Sequence, residues 1–205
     1  GLYRSQDNGS TWSKITDSDL FDGTYPLQIN DIEIQKSSNR IWISTTNGIN
    51  NRDGGEIFYS DDGTSFIKVN PTYDISPTNI ERTEIASSYT NSGTHYVLMR
   101  ASGEAELYKT VDNFVNLTKL AEPADVETDM PATDFTRGQS GYDLEVEVDP
   151  VNDAIVYLGG INWHRSSDGG ANWSQITKWC TNCFGMGVLP VAVVHADQHG
   201  LYFRP

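Results

Sequence analysis

Two histidines and an aspartate alternate along residues 195–199, in the order His195-Ala196-Asp197-Gln198-His199. If this segment is extended, the two-residue period of a strand puts His195, Asp197 and His199 on one face. Two imidazoles and a carboxylate can ligate a divalent metal or bind another ligand, and Asp197 could then act as an acid–base catalyst. We favour the alternative of a polar layer in which Asp197 hydrogen-bonds and orients the histidines. On that alternative no cofactor is expected.

Several carboxylates could take part in the hydrolysis of a glycosidic bond. That chemistry needs two carboxyl groups on either side of the bond, roughly 5–10 Å apart. The candidates lie on or beside strands that we predict to be innermost in their sheets: Asp31, Glu33, Asp143, Glu145 and Asp197. For each of them we favour a solvated, alternate-face residue over a catalytic one. Whether the chain is an enzyme therefore stays open at this point.

A glycine-rich segment from 178 to 190 carries a tryptophan and both cysteines of the chain. Trp179 is a ligand-binding candidate because an exposed indole can stack on a sugar ring, and because loops on a rigid scaffold often carry binding function. Cys180 and Cys183 form a single C-x-x-C motif, which has too few ligands for tetrahedral zinc. We favour a disulfide in an oxidising compartment over two inert thiols.

A short phrase that recurs four times along the chain identifies the elements that must position these residues. It is centred on Asp7, Asp62, Asp112 and Asp168, with steps of 55, 50 and 56 residues (7 to 62, 62 to 112 and 112 to 168). A fixed period near 50 indicates a repeat architecture, and about 40–50 residues is typical of one four-stranded propeller blade.

Short segments of alternating apolar and polar residues flank each phrase, as expected for half-buried strands. Turn residues join them, and no stretch has a sustained helical period. The sequence therefore predicts an all-β chain, a β-propeller or part of one, built from four-stranded antiparallel blades. The predicted pieces are a half blade at 1–15, blades at about 28–69, 79–120 and 140–177, and the start of a further blade at 193–205 with 201–203 as its inner strand.

The recurring phrase falls in the hairpin between the third and fourth strands of each blade. Its aspartate can accept hydrogen bonds from turn amides, its glycine can adopt a positive φ, and a following aromatic ring can return to the core. In the third copy Phe114 and Leu117 replace the glycine and the aromatic residue, which predicts a looser turn. The residues assigned this structural role are Asp7, Gly9, Trp12, Asp62, Gly63, Phe66, Asp112, Asp168, Gly170 and Trp173.

The phrase resembles the Asp-box, or BNR repeat, with the pattern S-x-D-x-G-x-[ST]-W. The first copy matches it from Ser5 to Trp12, and the last has Asn172 in the threonine position. Families with this repeat include sialidases, xyloglucan-hydrolysing propellers, the sortilin ectodomain and a photosystem assembly factor. Residues 159–170 and 194–199 look most like secreted proteins of Bacteroidetes-type bacteria. In these families the Asp-box lies on the outer rim, so the resemblance implies a fold and not an activity, and no family catalytic residue can be matched here.

The net charge of the chain restricts the classes of molecule that it can bind. It has 28 acidic and 14 basic residues and a net charge of −14, whereas nucleic acids are bound by basic surfaces that displace their counterions. No segment approaches membrane-spanning length. We therefore expect neither nucleic-acid binding nor direct membrane insertion. Because the chain begins inside a half blade, further blades or domains of the same polypeptide are expected partners.

The function predicted from these observations is that of a secreted or cell-surface module that binds a glycan or a protein without catalysis. The first alternative is a glycoside hydrolase, sialidase-like or xyloglucanase-like, with its site at the propeller channel. The second is a sorting-receptor ectodomain similar to sortilin.

Overall fold

The computed structural model describes residues 1–47, 54–76, 79–128, 130 and 134–203. Strands make up most of the regular structure, and short 3-10 turns lie at Ser18–Leu20 and Met186–Val188. The prediction of an all-β chain is confirmed. Among the described residues, no helix is long and apolar enough to cross a membrane.

A two-stranded antiparallel ribbon opens the chain, formed by β1 (Tyr3–Arg4) and β2 (Ser13–Lys14). Three four-stranded antiparallel sheets follow, which we call blades I, II and III, and in each the strands are hydrogen-bonded in chain order. Blade I contains β3 (Gln28–Gln35), β4 (Arg40–Thr46), β5 (Ile57–Ser60) and β6 (Ile67–Val69). Blade II contains β7 (Ile80–Ser87), β8 (His95–Ala101), β9 (Glu104–Thr110) and β10 (Thr118–Leu120). Blade III contains β11 (Glu145–Val148), β12 (Val156–Gly159), β13 (Trp163–Ser166) and β14 (Ser174–Gln175).

The chain after blade III departs from the prediction. β15 (Thr177–Lys178) pairs in parallel with β16 (Ala192–Val193). Residues 201–203, predicted to be an inner strand, have no strand geometry. A strand needs neighbours to be stable, and the described chain offers none at this position. The predicted segment continues to Arg204 and Pro205, which lie outside the described residues.

Apolar side chains fill the spaces between consecutive sheets in three clusters. One lies between the ribbon and blade I, one between blades I and II, and one between blades II and III. Trp42 on β4 is fully buried in the second cluster, where its ring contacts those of His95 and Phe114 from blade II. Each sheet therefore depends on its neighbour to bury its face, as in other repeat architectures.

The aspartates of the recurring phrase accept the hydrogen bonds that the sequence predicts. Asp168 accepts them from the backbone N–H and side-chain amide of Asn172, at 2.9 and 2.7 Å, and from the Ser166 hydroxyl at 2.8 Å. Ser166 in turn accepts a hydrogen bond from the N–H of Gly170, whose φ is 90°. The carboxylate of Asp168 and the hydroxyl of Ser166 thus accept hydrogen bonds from backbone N–H groups of the turn. Closely similar hydrogen bonds form around Asp7, Asp62 and Asp112.

The third turn is not looser than the others, which corrects the prediction made from its substitutions. The carboxylate of Asp112 accepts hydrogen bonds from the backbone N–H of Asn116 at 2.9 Å and from its side-chain amide at 2.7 Å. Phe114 adopts a φ of 68° in place of the glycine, and its buried ring stacks on His95 with 4.7 Å between centroids. Burial of a large ring offsets the cost of left-handed backbone in a residue with a side chain.

Trp12 does not return to the core, contrary to the prediction. Its side chain is 63% exposed, and its indole N–H donates to the carbonyl of Gly9 at 3.2 Å. Its counterparts, Phe66, Leu117 and Trp173, each pack in the cluster between their own sheet and the sheet before it. No sheet precedes the ribbon in the described part of the chain, so the ring of Trp12 has nothing to pack against.

Replacing Asp168 with alanine should lower the melting temperature at neutral pH, because the turn loses three hydrogen bonds. The bonds from the side chain and backbone of Asn172 lower the pKa of Asp168 to about 2. A carboxylate with a lowered pKa stabilises the fold above its unfolded pKa of about 3.9 and loses that contribution as the pH falls toward 2. Thermal melts should therefore show an effect that shrinks with acidification.

Asp19→Ala is the matched control, since the carboxylate of Asp19 is exposed and accepts no hydrogen bond from the described residues. Equal losses of stability from Asp19→Ala and Asp168→Ala would contradict the turn's proposed contribution. An Asp168→Ala effect that does not depend on pH would do the same.

Candidate functional site

The first strands of the three blades, β3, β7 and β11, lie next to one another and line a cavity of about 390 Å³. Acidic residues two positions apart on β3 and β11 both reach it, as the alternation of a strand requires. The charged lining consists of the guanidinium of Arg82 and the carboxyl groups of Asp31, Glu33, Glu84, Glu145 and Glu147.

The two acidic residues of β3 form hydrogen bonds with the backbone of blade II. Asp31 accepts a hydrogen bond from the N–H of Ile85 at 2.9 Å, and Glu33 accepts one from the N–H of Ser87 at 3.4 Å. Asn30 adds a bond from its side-chain amide to the carbonyl of Thr83, at 2.8 Å. These contacts satisfy backbone groups along the inner edge of β7 that have no strand partner.

Arg82 on β7 connects blade II to blade III. Its guanidinium donates to the carboxylate of Glu84, with Nε to Oε1 at 3.0 Å, and to the backbone carbonyls of Tyr142 and Leu144, at 2.9 and 3.2 Å. A planar guanidinium has enough donors to make all of these bonds together. Arg82 therefore positions β11, and with it Glu145 and Glu147, beside β7.

Crowded and partly buried carboxyl groups in the cavity resist ionisation. Burial, with a smaller contribution from the charges of Glu147 and Asp31, raises the pKa of Glu33 to about 8. Burial, with the charges of Glu84 and Glu147, raises the pKa of Glu145 to about 9. Burial, with the charge of Asp31, raises the pKa of Glu147 to about 7. At neutral pH the cavity therefore presents both protonated and ionised carboxyl groups.

Aromatic side chains complete the lining of the cavity. Tyr89, Tyr202 and His199 all reach it. Tyr202 is almost fully exposed, and the ring of His199 packs edge-on against that of Tyr142, with 4.4 Å between centroids. The cavity thus combines hydrogen-bonding groups with aromatic surface.

The predicted cluster at 195–199 does not form a common face. Asp197 has a φ of 69°, which breaks the extended conformation on which the prediction depended. His195 is exposed and its Nδ1 lies 2.8 Å from the carbonyl of Ala196, whereas His199 turns to the cavity. Buried Gln198 anchors the segment through an N–H bond to the carbonyl of Gly160 at 2.9 Å. The shared face on which the metal alternative depended is therefore not formed, and among the described residues no group of three or more His, Cys, Asp or Glu side chains is arranged to hold a metal ion.

Trp179 lies in a cross-linked loop and is not among the residues that line the cavity. Its indole N–H donates to Glu127 at 3.1 Å, and its half-buried ring lies 5.6 Å from that of Phe184, tilted by 36°. Cys180 and Cys183 form a disulfide. These contacts use part of the indole surface that a stacked sugar would need, and the ligand-binding role of Trp179 stays a prediction.

Asp143 lies two residues before the start of β11 and is fully buried, with no hydrogen-bond partner for either carboxyl oxygen in the described structure. Burial raises the pKa of Asp143 to about 7.

The sequence identified only some of the residues that line the cavity. Asp31, Glu33 and Glu145 were identified as inner-strand carboxylates. Two further carboxylates, Glu84 and Glu147, and the guanidinium of Arg82 were not identified. The alternation of Glu145 with Glu147 could have identified the second of these, but nothing in the sequence marks Arg82 as the link between two blades.

No protein-family model and no curated protein matches the sequence. Solved structures with a similar fold include the GH74 xyloglucanase from Xanthomonas campestris, with a TM-score of 0.55, 14% identity, and coverage of 83% of this chain and 25% of that one. The GH74 enzyme of Niastella koreensis has a TM-score of 0.51 and 18% identity, and the match covers 78% of this chain and 23% of that one. YCF48 from Cyanidioschyzon merolae has a TM-score of 0.50 and 12% identity, and the match covers 73% of this chain and 39% of that one.

These likenesses confirm the predicted fold class, a β-propeller or part of one built from four-stranded antiparallel blades. The chain spans about a quarter of the length of the two GH74 enzymes. At these identities the likeness concerns the fold alone.

Proposed function

We propose that the chain is part of a secreted propeller that binds a glycan, without cleaving it, in the cavity between β3, β7 and β11. The observation that carries this proposal is the cavity itself, in which three blades place carboxyl groups beside aromatic side chains. The disulfide between Cys180 and Cys183 supports secretion, because disulfides persist in oxidising compartments.

The chemistry of the lining suits sugar hydroxyls. Each hydroxyl both donates and accepts hydrogen bonds, and a mixture of protonated and ionised carboxyl groups offers both complements. Hydrogen bonds to an ionised partner are about twice as strong as neutral ones. Exposed Tyr202 offers a face on which the apolar side of a sugar ring can lie. Because one neighbour in fold is a xyloglucanase, xyloglucan is the first glycan to test.

The distribution of the carboxyl groups favours binding over hydrolysis. Asp31 and Glu33 accept backbone hydrogen bonds from β7, and Glu84 is paired with Arg82. The remaining two, Glu145 and Glu147, project from the same face of one strand. Hydrolysis needs carboxyl groups on opposite sides of the glycosidic bond, which one face of a single strand does not supply.

Calorimetric titration of the purified chain with xyloglucan and other plant and algal polysaccharides tests the proposal, together with an assay for released reducing ends. We expect one of these glycans to bind without cleavage. Glu147→Gln should weaken that binding by about tenfold or more, the loss of one hydrogen bond to a charged group. The control is Glu104→Gln, at an exposed position on β9.

Equal affinities for the wild type and the Glu147→Gln variant would exclude the cavity as the binding site, and failure of every polysaccharide to bind would overturn the proposal. Release of reducing ends by the wild type but not by Glu147→Gln would establish the glycoside hydrolase instead.

A further inference from the structure

Two isoleucines on β3, Ile32 and Ile34, are 53% and 51% exposed although β3 belongs to a four-stranded sheet. Their equivalents in the other blades can be found from the strand register. We call the turn formed by each recurring phrase the aspartate turn. The serine or threonine that begins this turn occupies the same structural position in every blade. In blade I this residue is Ser60, which pairs with Ile41, and Ile41 pairs with Ile34.

The same register identifies the equivalent positions in blades II and III, and there they are buried. In blade II they are Ile85 and Ser87, which are 4% and 2% exposed. In blade III they are Val146 and Val148, which are 3% and 0% exposed. The two positions are therefore covered wherever a four-stranded blade precedes them, whereas in the described chain blade I is preceded by the two-stranded ribbon.

The ribbon corresponds to the outer half of a blade. It carries the aspartate turn, which in blades I to III joins the third strand to the fourth, so β1 and β2 take those two places. β1 pairs with β2 on one side, and on its other side no described strand pairs with it. An open strand edge is a template for the addition of another strand.

The exposed isoleucines continue an interface that already exists. Ile32 lies opposite Ile43 in the sheet, so both face the ribbon, and Ile43 is buried with Phe58 in the cluster between the ribbon and blade I. In the described part of the chain no strand stands between β1 and the cavity, so the inner half of that interface is left uncovered there.

Blade I shows what chemistry the missing pair of strands should have, because its own inner strands cover blade II. On β3 the carboxylates of Asp31 and Glu33 accept hydrogen bonds from the N–H groups of Ile85 and Ser87. These two residues are the equivalents of Ile32 and Ile34. An incoming strand that presents two acidic residues in alternation would satisfy the N–H groups of β3 in the same way.

We propose that a two-stranded antiparallel hairpin docks on the free edge of β1 and covers Ile32 and Ile34, with two acidic side chains in alternation on its inner strand. Main-chain hydrogen bonds to β1 provide the docking, and an apolar face toward blade I provides the specificity. The partner of this surface is a pair of propeller strands.

A synthetic peptide of residues 28–46, which contains β3 and β4, is the probe, because this hairpin covers the equivalent surface of blade II. A second form joins the same residues to Gly1 through a flexible Gly-Ser linker, so that poor folding of the free peptide does not decide the result. We expect the peptide to bind, and the linked form to slow hydrogen exchange at Tyr3 and Arg4. The double variant Ile32→Lys and Ile34→Lys should weaken peptide binding by about tenfold or more.

Ile67→Lys is the matched control, at a 53% exposed isoleucine on the outer strand β6. A peptide carrying Asp31→Asn and Glu33→Gln should bind more weakly than the original. The proposal is overturned if neither form protects β1, or if the double variant binds as the wild type does. Sedimentation showing a dimer that the double variant dissociates would overturn it in favour of a second copy of the chain.

Discussion

Replacing Glu145 with glutamine should raise the melting temperature at pH 8 by roughly 5–10 °C for a chain of this length, although it removes a residue of the candidate site. In the folded protein burial and the charges of Glu84 and Glu147 raise the pKa of Glu145 to about 9. In the unfolded chain its pKa returns to about 4.3. The fold therefore holds a proton on Glu145 that the unfolded chain releases.

The sign of the pH dependence follows from this difference. A carboxyl group whose pKa is raised by folding does not lower the free energy of unfolding at a pH below its unfolded pKa. As the pH rises from about 4.3 to about 9, it lowers that free energy by an increasing amount. Glutamine has no such cost, so the gain in stability should be large at pH 8 and less than about 2 °C at pH 5. Scanning calorimetry of both proteins at the two pH values measures it.

Glu104→Gln, at an exposed position on β9, is the control and should change the melting temperature little at either pH. A Glu145→Gln variant that is less stable than the wild type at pH 8 would show that Glu145 is ionised and paired in the folded protein. Equal gains at pH 5 and pH 8 would show that the gain does not come from ionisation.

This cavity was predictable in its parts and not as a whole. Alternation within each strand identified Asp31, Glu33 and Glu145 as inner-strand carboxylates, because a period of two is a local property. The burial that raises their pKa values, and the repulsion between carboxyl groups of β3 and β11, are not local, because both arise only when the inner strands of neighbouring blades are brought together. The raised pKa values therefore follow from the arrangement of the blades.

Other predictions failed where a residue's environment lies outside its own repeat. Trp12 matches the recurring phrase as well as Trp173 does, yet Trp12 is exposed because its ring reaches toward the preceding sheet. At Asp197 a single positive φ separates His195 from His199. Nothing in the sequence marks that position, since aspartate adopts this conformation in a minority of its occurrences.

The repeat itself was the most reliable signal, because each copy contains its own stabilising interactions. The bonds from Ser166 and Asn172 to Asp168 span only two to four residues and need no distant partner. Even Phe114, which breaks the pattern, keeps the turn closed by burying its ring. A motif whose interactions are all local predicts its own geometry well, whereas the sites that it positions depend on the assembly.

Replacing Trp42 with alanine should cost about 3–5 kcal/mol of unfolding free energy, the usual range for a buried aromatic residue. The ring is fully buried between blades I and II, where it contacts the rings of Tyr59, His95 and Phe114. Its removal leaves a cavity that backbone strands on both sides cannot close. Urea denaturation followed by circular dichroism measures the loss.

Trp12→Ala is the matched control, because the same residue type is 63% exposed in the ribbon. Its effect should stay within about 0.5 kcal/mol, as for other surface substitutions. Both changes delete an indole, so the difference between the two losses of unfolding free energy measures the contribution of packing between neighbouring blades. If Trp12→Ala cost as much as Trp42→Ala, the ring of Trp12 would have to be buried in solution, and a sheet or a partner would have to cover the ribbon.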